Sequence, residues 1–155
     1  MQPEPELVTH ESAVTVVITG TAVPPTELPH FIDGAFEALG AAAIAGTITP
    51  VGAAFARYLT PPSSTFDLEV GFVVEQAAEV ERATVRELPA GRVARLVHHG
   101  DYQGLHKSWE RLNDWAREQG LTPLPAGFWE VYTTEPAPGM DPADLRTELN
   151  LPVAD

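Results

Sequence analysis

The sequence predicts an α+β fold made of duplicated βαββ units with pseudo-two-fold symmetry, an antiparallel sheet and a cleft between the repeats. Three observations predict it: two apolar strands that each end in glycine, a helical stretch after each strand, and two further strands closing each half. Of the 155 residues, 44% are hydrophobic, which suits one packed domain over residues 1–155. We expect repeat one at about 8–75 and repeat two at about 83–153.

The opening strand of each repeat has the stronger signal. Val14–Gly20 is β-branched almost throughout, and Val93–Gly100 is apolar and also ends in glycine. Helical stretches follow over about residues 29–45 and 103–119, each followed by a glycine. Glycine readily takes the left-handed backbone conformation that ends helices, so we expect both helices to end there.

The closing strands of each repeat are a short aromatic strand and a longer apolar one. Phe55–Tyr58 corresponds to Trp129–Tyr132, and Leu68–Val74 corresponds to Thr147–Val153. A unit of this size is too small to bury its apolar sheet face and helix stripe alone, so the two repeats should pack together. The seam between them is then a natural place for a pocket.

The aromatic strands differ at one informative position. When their tyrosines are aligned, Ala56 of the first repeat matches Glu130 of the second. Strand side chains alternate, so Phe128, Glu130 and Tyr132 share one face. If that face lines the seam, desolvation raises the pKa of Glu130 and a cation is favoured beside it. The alternative is a solvated Glu130, with the opposite face of the strand in the core.

Aromatic side chains are expected around this carboxylate: Tyr58, Trp109, Phe128 and Tyr132. Aromatic ring faces attract a cation by roughly 0.5–2 kcal/mol per well-placed ring. The combination favours a receptor for flat, apolar and often cationic small molecules. The plainer interpretation of Trp109 is core packing, because it lies on an apolar helix stripe with Leu105, Leu112 and Ala116.

Composition and charge exclude several other classes of function. A formal net charge of −13 disfavours direct binding to the phosphate backbones of nucleic acids. The chain has no cysteine, and therefore no disulfide, thiolate metal site or cysteine nucleophile. His98 and His99 are strand neighbours that should face opposite sides, and no third ligand stands at a recognised spacing, so no metal site is expected.

The location expected from the sequence is the cytoplasm, without a membrane segment. The N-terminus is acidic and lacks the basic start and apolar run of a secretory signal. Residues 38–56 carry no charge, but they are rich in alanine and glycine and contain Pro50. Proline breaks a spanning helix and alanine gains little from leaving water, so this stretch should be a helix end, a loop and a strand start.

Three segments carry a resemblance to a known family. LVHHGDYQGLHKSWERLNDWAREQG, FWEVYTTEP and TELNLPV resemble the GyrI-like small-molecule-binding domain. That family includes the effector-binding domains of AraC-type and MerR-type regulators and stand-alone gyrase-inhibitor-like proteins. The resemblance covers nearly the whole chain, is strongest over residues 92–153, and includes the Glu-x-Tyr of Glu130 and Tyr132.

The resemblance implies a duplicated βαββ fold with a ligand cleft between the repeats. It implies a drug-binding role for Glu130, with Tyr132, Tyr58 and Trp109 as aromatic walls, and it implies no cofactor. Trp109 stands where members often carry tyrosine, which would enlarge that wall. We expect no DNA-reading segment ahead of residue 1, and a regulator that used this domain would then need a separate partner chain.

Two further functions are implied by stand-alone relatives in the same family. Some are hydrolases that open the strained cyclopropane ring of DNA-alkylating natural products. Glu130 would then be the general acid or base, and Tyr132 would orient the reacting groups. Others resemble gyrase inhibitors, and for them the acidic surface would be a protein-interaction module.

Overall fold

The structure is a computed structural model that describes residues 4–61, 64–134 and 138–155. Within these ranges it contains nine strands, two α-helices and two short 3₁₀ helices. The strands are β1 (Glu6–His10), β2 (Ala13–Val23), β3 (Phe55–Tyr58), β4 (Phe66–Val73), β5 (Thr84–Leu88), β6 (Gly91–His99), β7 (Thr122–Pro123), β8 (Trp129–Val131) and β9 (Arg146–Ala154). The helices are α1 (Leu28–Ile44) and α2 (Leu105–Glu118), with 3₁₀ turns at Tyr102–Gly104 and Pro142–Asp144. The α+β class is confirmed.

The sheet is antiparallel and its strand order is the same on both sides of its centre. The order is β1-β6-β9-β8-β3-β4-β2-β5, with β7 paired to β9. From the centre outward, one side has β3, β4, β2 and β5, and the other has β8, β9, β6 and β1. On each side a short strand is followed by the last strand of one half, then by the first strand of that half, and then by an edge strand. This is the order that two packed βαββ units produce. Their origin by duplication, and the bounds of the repeats, stay predictions.

The edge strands cross between the halves. β1 precedes the first half in sequence but pairs with β6 of the second, where Glu6 lies opposite Arg95. β5 precedes the second half but pairs with β2 of the first, where Ala13 lies opposite Leu88. Each half is therefore completed by a strand from the other, which joins the two into one unit.

Both helices end where the sequence predicts. The backbone of Gly46 after α1 and of Gly120 after α2 has φ of +79°, in the left-handed region. Without a Cβ, glycine takes this conformation at little steric cost. The second predicted helix begins as a 3₁₀ turn over Tyr102–Gly104 before it becomes α2.

Both helices cover the same face of the sheet. Leu39 of α1 packs with Val16 of β2, while Leu112 of α2 packs with Leu96 and Leu149. The opposite face has its own core, in which the main buried side chains come from five strands: Val17, Phe55, Leu88, Val93 and Trp129. Because neighbours on β8 alternate, burial of Trp129 there places Glu130 on the helix-covered face.

The uncharged stretch at residues 38–56 contains the end of α1, a loop and the start of β3, as predicted. Across the described ranges, no helix combines the length and apolar character that crossing a bilayer requires.

Candidate functional site

A cavity of about 540 Å³ lies between α1, the start of α2 and the central strands of the sheet. Apolar side chains from α1 form one wall, among them Ile32 and Phe36. Tyrosines form much of the rest: Tyr58, Tyr102 and Tyr132. The ionisable acids in the lining are Asp33 and Glu130, and no Lys, Arg or His of the described chain contributes to it. The cavity is therefore apolar, aromatic and acidic.

Glu130 is the buried acid of this cavity, with 7% of its surface exposed. The Trp109 indole Nε1–H donates to Glu130 Oε2 over 2.7 Å, and the Tyr132 hydroxyl donates to Oε1 over 2.8 Å. Burial raises the pKa of Glu130, while the hydrogen bonds from Trp109 and Tyr132 and the electrostatic interaction with His98 act in the opposite direction. Each oxygen thus has a donor, but no basic side chain of the lining offsets its charge.

The tyrosines beside Glu130 remain neutral phenols. Burial, and then the charge of Glu130, raises the pKa of Tyr58 and of Tyr132 far above the ordinary value. The Tyr132 ring meets Phe36 edge-on at a centroid distance of 5.6 Å and Tyr102 edge-on at 6.1 Å. These contacts join α1, the residue after β8 and the 3₁₀ turn before α2 into one aromatic wall.

Trp109 and Phe128 lie beside this cavity and do not line it. They line a neighbouring cavity of about 370 Å³. Phe128 stacks on Tyr58 with ring centroids 5.3 Å apart, and Trp109 meets Phe128 edge-on at 5.2 Å. The two rings therefore form a partition behind Glu130, and Trp109 reaches the site through its indole N–H alone.

Ala56 has the position predicted for it but presents no surface to either cavity. It is the Cα partner of Glu130 across the β3–β8 pair and is fully buried, packed with Leu68 and Val70. Of the sequence-predicted site residues, the structure thus brings Glu130, Tyr132 and Tyr58 into one cavity. Trp109 and Phe128 stand behind it, and Ala56 lies beneath it.

Sequence reasoning missed the contribution of α1 and of the turn before α2. Asp33 and Gly40 of α1 line the cavity, together with Tyr102 and Leu105. One signal was present: Asp33 is acidic and lies at helical spacing from apolar Pro29 and Phe36, four positions before it and three after it.

The histidines of β6 have a structural arrangement. His98 is buried, with Nδ1 2.7 Å from Ser108 Oγ and Nε2 2.7 Å from the Asp101 carbonyl oxygen. A carbonyl oxygen only accepts, so Nε2–H is the donor in that bond. His98 thereby ties the end of β6 to α2 and to the turn that carries Tyr102. Within residues 4–61, 64–134 and 138–155, no group of three or more His, Asp or Glu is arranged to hold a metal ion.

The profile of the GyrI-like small molecule binding domain matches residues 3–154. The chain belongs to this family. As a GyrI-like domain it is a small-molecule-binding domain. No curated protein sequence matches the chain.

Solved structures share the fold of this GyrI-like domain. The EcmrR C-terminal domain has a TM-score of 0.82 at 16% identity, covering 98% of each chain. SAV2435 bound to tetraphenylphosphonium has a TM-score of 0.69 at 16% identity, covering 98% of this chain and 94% of that one. A hydrolase from Listeria innocua has a TM-score of 0.66 at 12% identity, covering 97% and 92%. At these identities the likeness concerns the fold.

Proposed function

We propose that the Glu130 cavity binds flat, apolar, cationic small molecules, for sequestration or sensing. One observation carries the proposal: a carboxylate that is almost fully buried, with a donor on each oxygen, in an aromatic cavity whose lining has no basic side chain.

The energetic argument concerns the charge of Glu130. Burying a carboxylate away from water is unfavourable unless a positive partner is present. A cationic ligand supplies that partner, and each tyrosine ring face that it covers adds roughly 0.5–2 kcal/mol. An anionic ligand would meet two carboxylates and no basic group of the lining. The cavity should therefore select for positive charge as well as for apolar surface.

The comparison with SAV2435 supports the apolar, aromatic and cationic character of the proposed ligand. That protein shares the fold over almost the whole chain, and its structure contains tetraphenylphosphonium, a cation with four aromatic rings. The family resemblance implies that Glu130 corresponds to the glutamate that drug-binding members use, which supports its role in the proposal.

Calorimetric titration with tetraphenylphosphonium tests the proposal. Glu130→Ala should weaken binding by about 1–3 kcal/mol, because the ligand charge loses its buried partner. Glu148→Ala is the matched control, since it removes a strand carboxylate from the opposite face, where Glu148 pairs with Arg95. Tetraphenylborate, an anion of the same shape, should bind far more weakly than the cation. Equal affinity of the wild type and Glu130→Ala for the cation would refute the role of Glu130.

A hydrolase is the second candidate, favoured by the raised pKa of Glu130 and by the fold shared with the Listeria innocua hydrolase. Glu130 would take a proton from a water molecule while the oxygen of that water attacks a ring carbon of an electrophilic cyclopropane. The ring C–C bond breaks, and its electron pair and a proton pass to the conjugated acceptor. Tyr132 would orient Glu130.

Incubation of such a compound with the protein, followed by mass analysis, separates catalysis from passive binding. Glu130→Gln should bind the compound but fail to hydrate it. An unconsumed compound with the wild type would eliminate the hydrolase. The gyrase-inhibitor-like interaction, a separate regulator chain and the cytoplasmic location stay predictions from the sequence.

A further inference from the structure

The cavity has a second carboxylate, at its mouth. Asp33 projects from α1 into the lining and is exposed, whereas Glu130 lies at the base and is buried. In the part of the chain that the structure describes, Asp33 makes no ion pair and no side-chain hydrogen bond. The α1 residues that line the cavity beside it, Pro29, Ile32 and Phe36, are apolar. His30 and Glu37, three and four positions from Asp33 on the helix, do not line the cavity. An acid at the edge of such a wall has no evident partner within the protein.

The two carboxylates act at different places in the cavity. Asp33 lies on α1 and is exposed, whereas Glu130 lies on β8 and is buried. Each carboxylate can therefore meet a different part of one ligand. Between them lie aromatic and aliphatic side chains, among them Phe36 and Tyr132.

We propose that Asp33 is a second cation-binding carboxylate and that the cavity takes elongated ligands with two positive centres joined by an apolar segment. One centre would lie against Glu130 and the other against Asp33. This inference rests on the proposed function, because it names the class of ligand that the same cavity prefers.

The two acids should contribute unequally. Asp33 is exposed, so water and salt screen its attraction for a cation, and pairs of this kind change affinity by up to about fivefold. Glu130 is buried and its effect on affinity should be larger and less sensitive to salt. Added salt should therefore reduce the Asp33 contribution first.

Bis-quinolinium ions joined by polymethylene linkers of graded length are suitable probes, with N-alkylquinolinium ions of matched chain length as single-charge controls. In the wild type, at one linker length, the doubly charged ion should bind about threefold to fivefold more tightly than its matched single-charge partner. Asp33→Asn should remove that advantage and leave the affinity for the single-charge ions unchanged. Glu37→Gln is the matched control variant, because Glu37 is exposed on the same helix and does not line the cavity.

Two outcomes would overturn the role of Asp33 and leave the proposed function standing. One is equal affinity for singly and doubly charged ions at every linker length, while binding of the single-charge ions still depends on Glu130. The other is an equal loss for both ions in Asp33→Asn, or the same loss in Glu37→Gln, which would indicate a general effect of surface charge. Failure of every quinolinium ion and of tetraphenylphosphonium to bind would overturn the proposed function together with this inference.

Discussion

The two central strands β3 and β8 meet at the seam with matching tyrosines but different neighbours. Tyr58 and Tyr132 both line the cavity, while Ala56 and Glu130 are Cα partners across the strand pair. Side chains at such paired positions are about 4.5–5.5 Å apart at Cβ. Two carboxylates there would repel each other in a site with little water. A symmetric frame of this kind therefore accommodates a single buried acid at the seam, and the small alanine leaves room for it.

The largest expected effect comes from making the two strands alike. Ala56→Glu places a second carboxylate opposite Glu130 in a fully buried position, and it should lower the free energy of unfolding by about 3 kcal/mol or more. Urea unfolding at neutral pH measures this change. Ala56→Gln has nearly the same volume without the charge and should be less damaging. Equal losses in the two variants would show that crowding, and not repulsion, keeps the strands different.

A second effect concerns the charge that only β8 carries. Because burial raises the pKa of Glu130 above the ordinary value of 4.5, the native state holds its proton more tightly than the unfolded chain does. The free energy of unfolding should therefore fall as pH rises from the unfolded to the native pKa, and stay lower above it. Glu130→Gln has no carboxyl group to ionise, so its free energy of unfolding should not show this fall. It should match the wild type at low pH and exceed its stability by about 1 kcal/mol at neutral pH.

Urea unfolding at a series of pH values checks this expectation. Glu148→Gln, on the opposite face beside Arg95, is the control and should show no such gain at neutral pH. The stability difference between Glu130→Gln and the wild type should change with pH. If it is the same at every pH, burial does not raise the pKa of Glu130.

The smallest expected effect concerns two glycines of α1, the helix over the first half of the sheet. Gly40 lines the cavity, whereas Gly34 does not. A Cβ at Gly40 or at Gly34 would meet no atom within 4 Å. Replacing either glycine by alanine should raise the free energy of unfolding by about 0.5–1 kcal/mol, because alanine is the better helix former. Thermal unfolding measures both changes.

Ligand affinity then distinguishes the two glycines. Gly40→Leu should reduce tetraphenylphosphonium binding by filling the cavity, whereas Gly34→Leu should leave it unchanged. If both leucine variants bind as the wild type does, α1 does not bound the ligand site.

The fold was predictable because its signals are local. β-branched strands such as β2 and glycines at helix ends such as Gly46 and Gly120 act through their own backbone preferences. Alternation along β8 also restricted Glu130 to one of two faces. The exchange of β1 and β5 between the halves was not predictable, because pairing partners distant in sequence leave no local pattern.

The site was less predictable than the fold, for reasons of packing. α1 is rich in alanine and carries three polar side chains, His30, Asp33 and Glu37, so its sequence marks only weakly which side meets the sheet. Asp33 and Gly40 were missed for that reason. The partition by Trp109 and Phe128 depends on how rings from α2 and from the loop before β8 interlock, which spacing along the chain does not specify.

The bond from the Trp109 indole to Glu130 provides an internal optical reporter. Indole emission depends on nearby charge, and a cation that neutralises the Glu130 carboxylate changes the field at its direct hydrogen-bond donor. Trp129 is buried on the other face of the sheet, where His10 packs against it at 5.0 Å, and should be insensitive to the same event. With Trp115 replaced by phenylalanine, unlabelled compounds could be screened by fluorescence, with one tryptophan responding and the other serving as an internal standard.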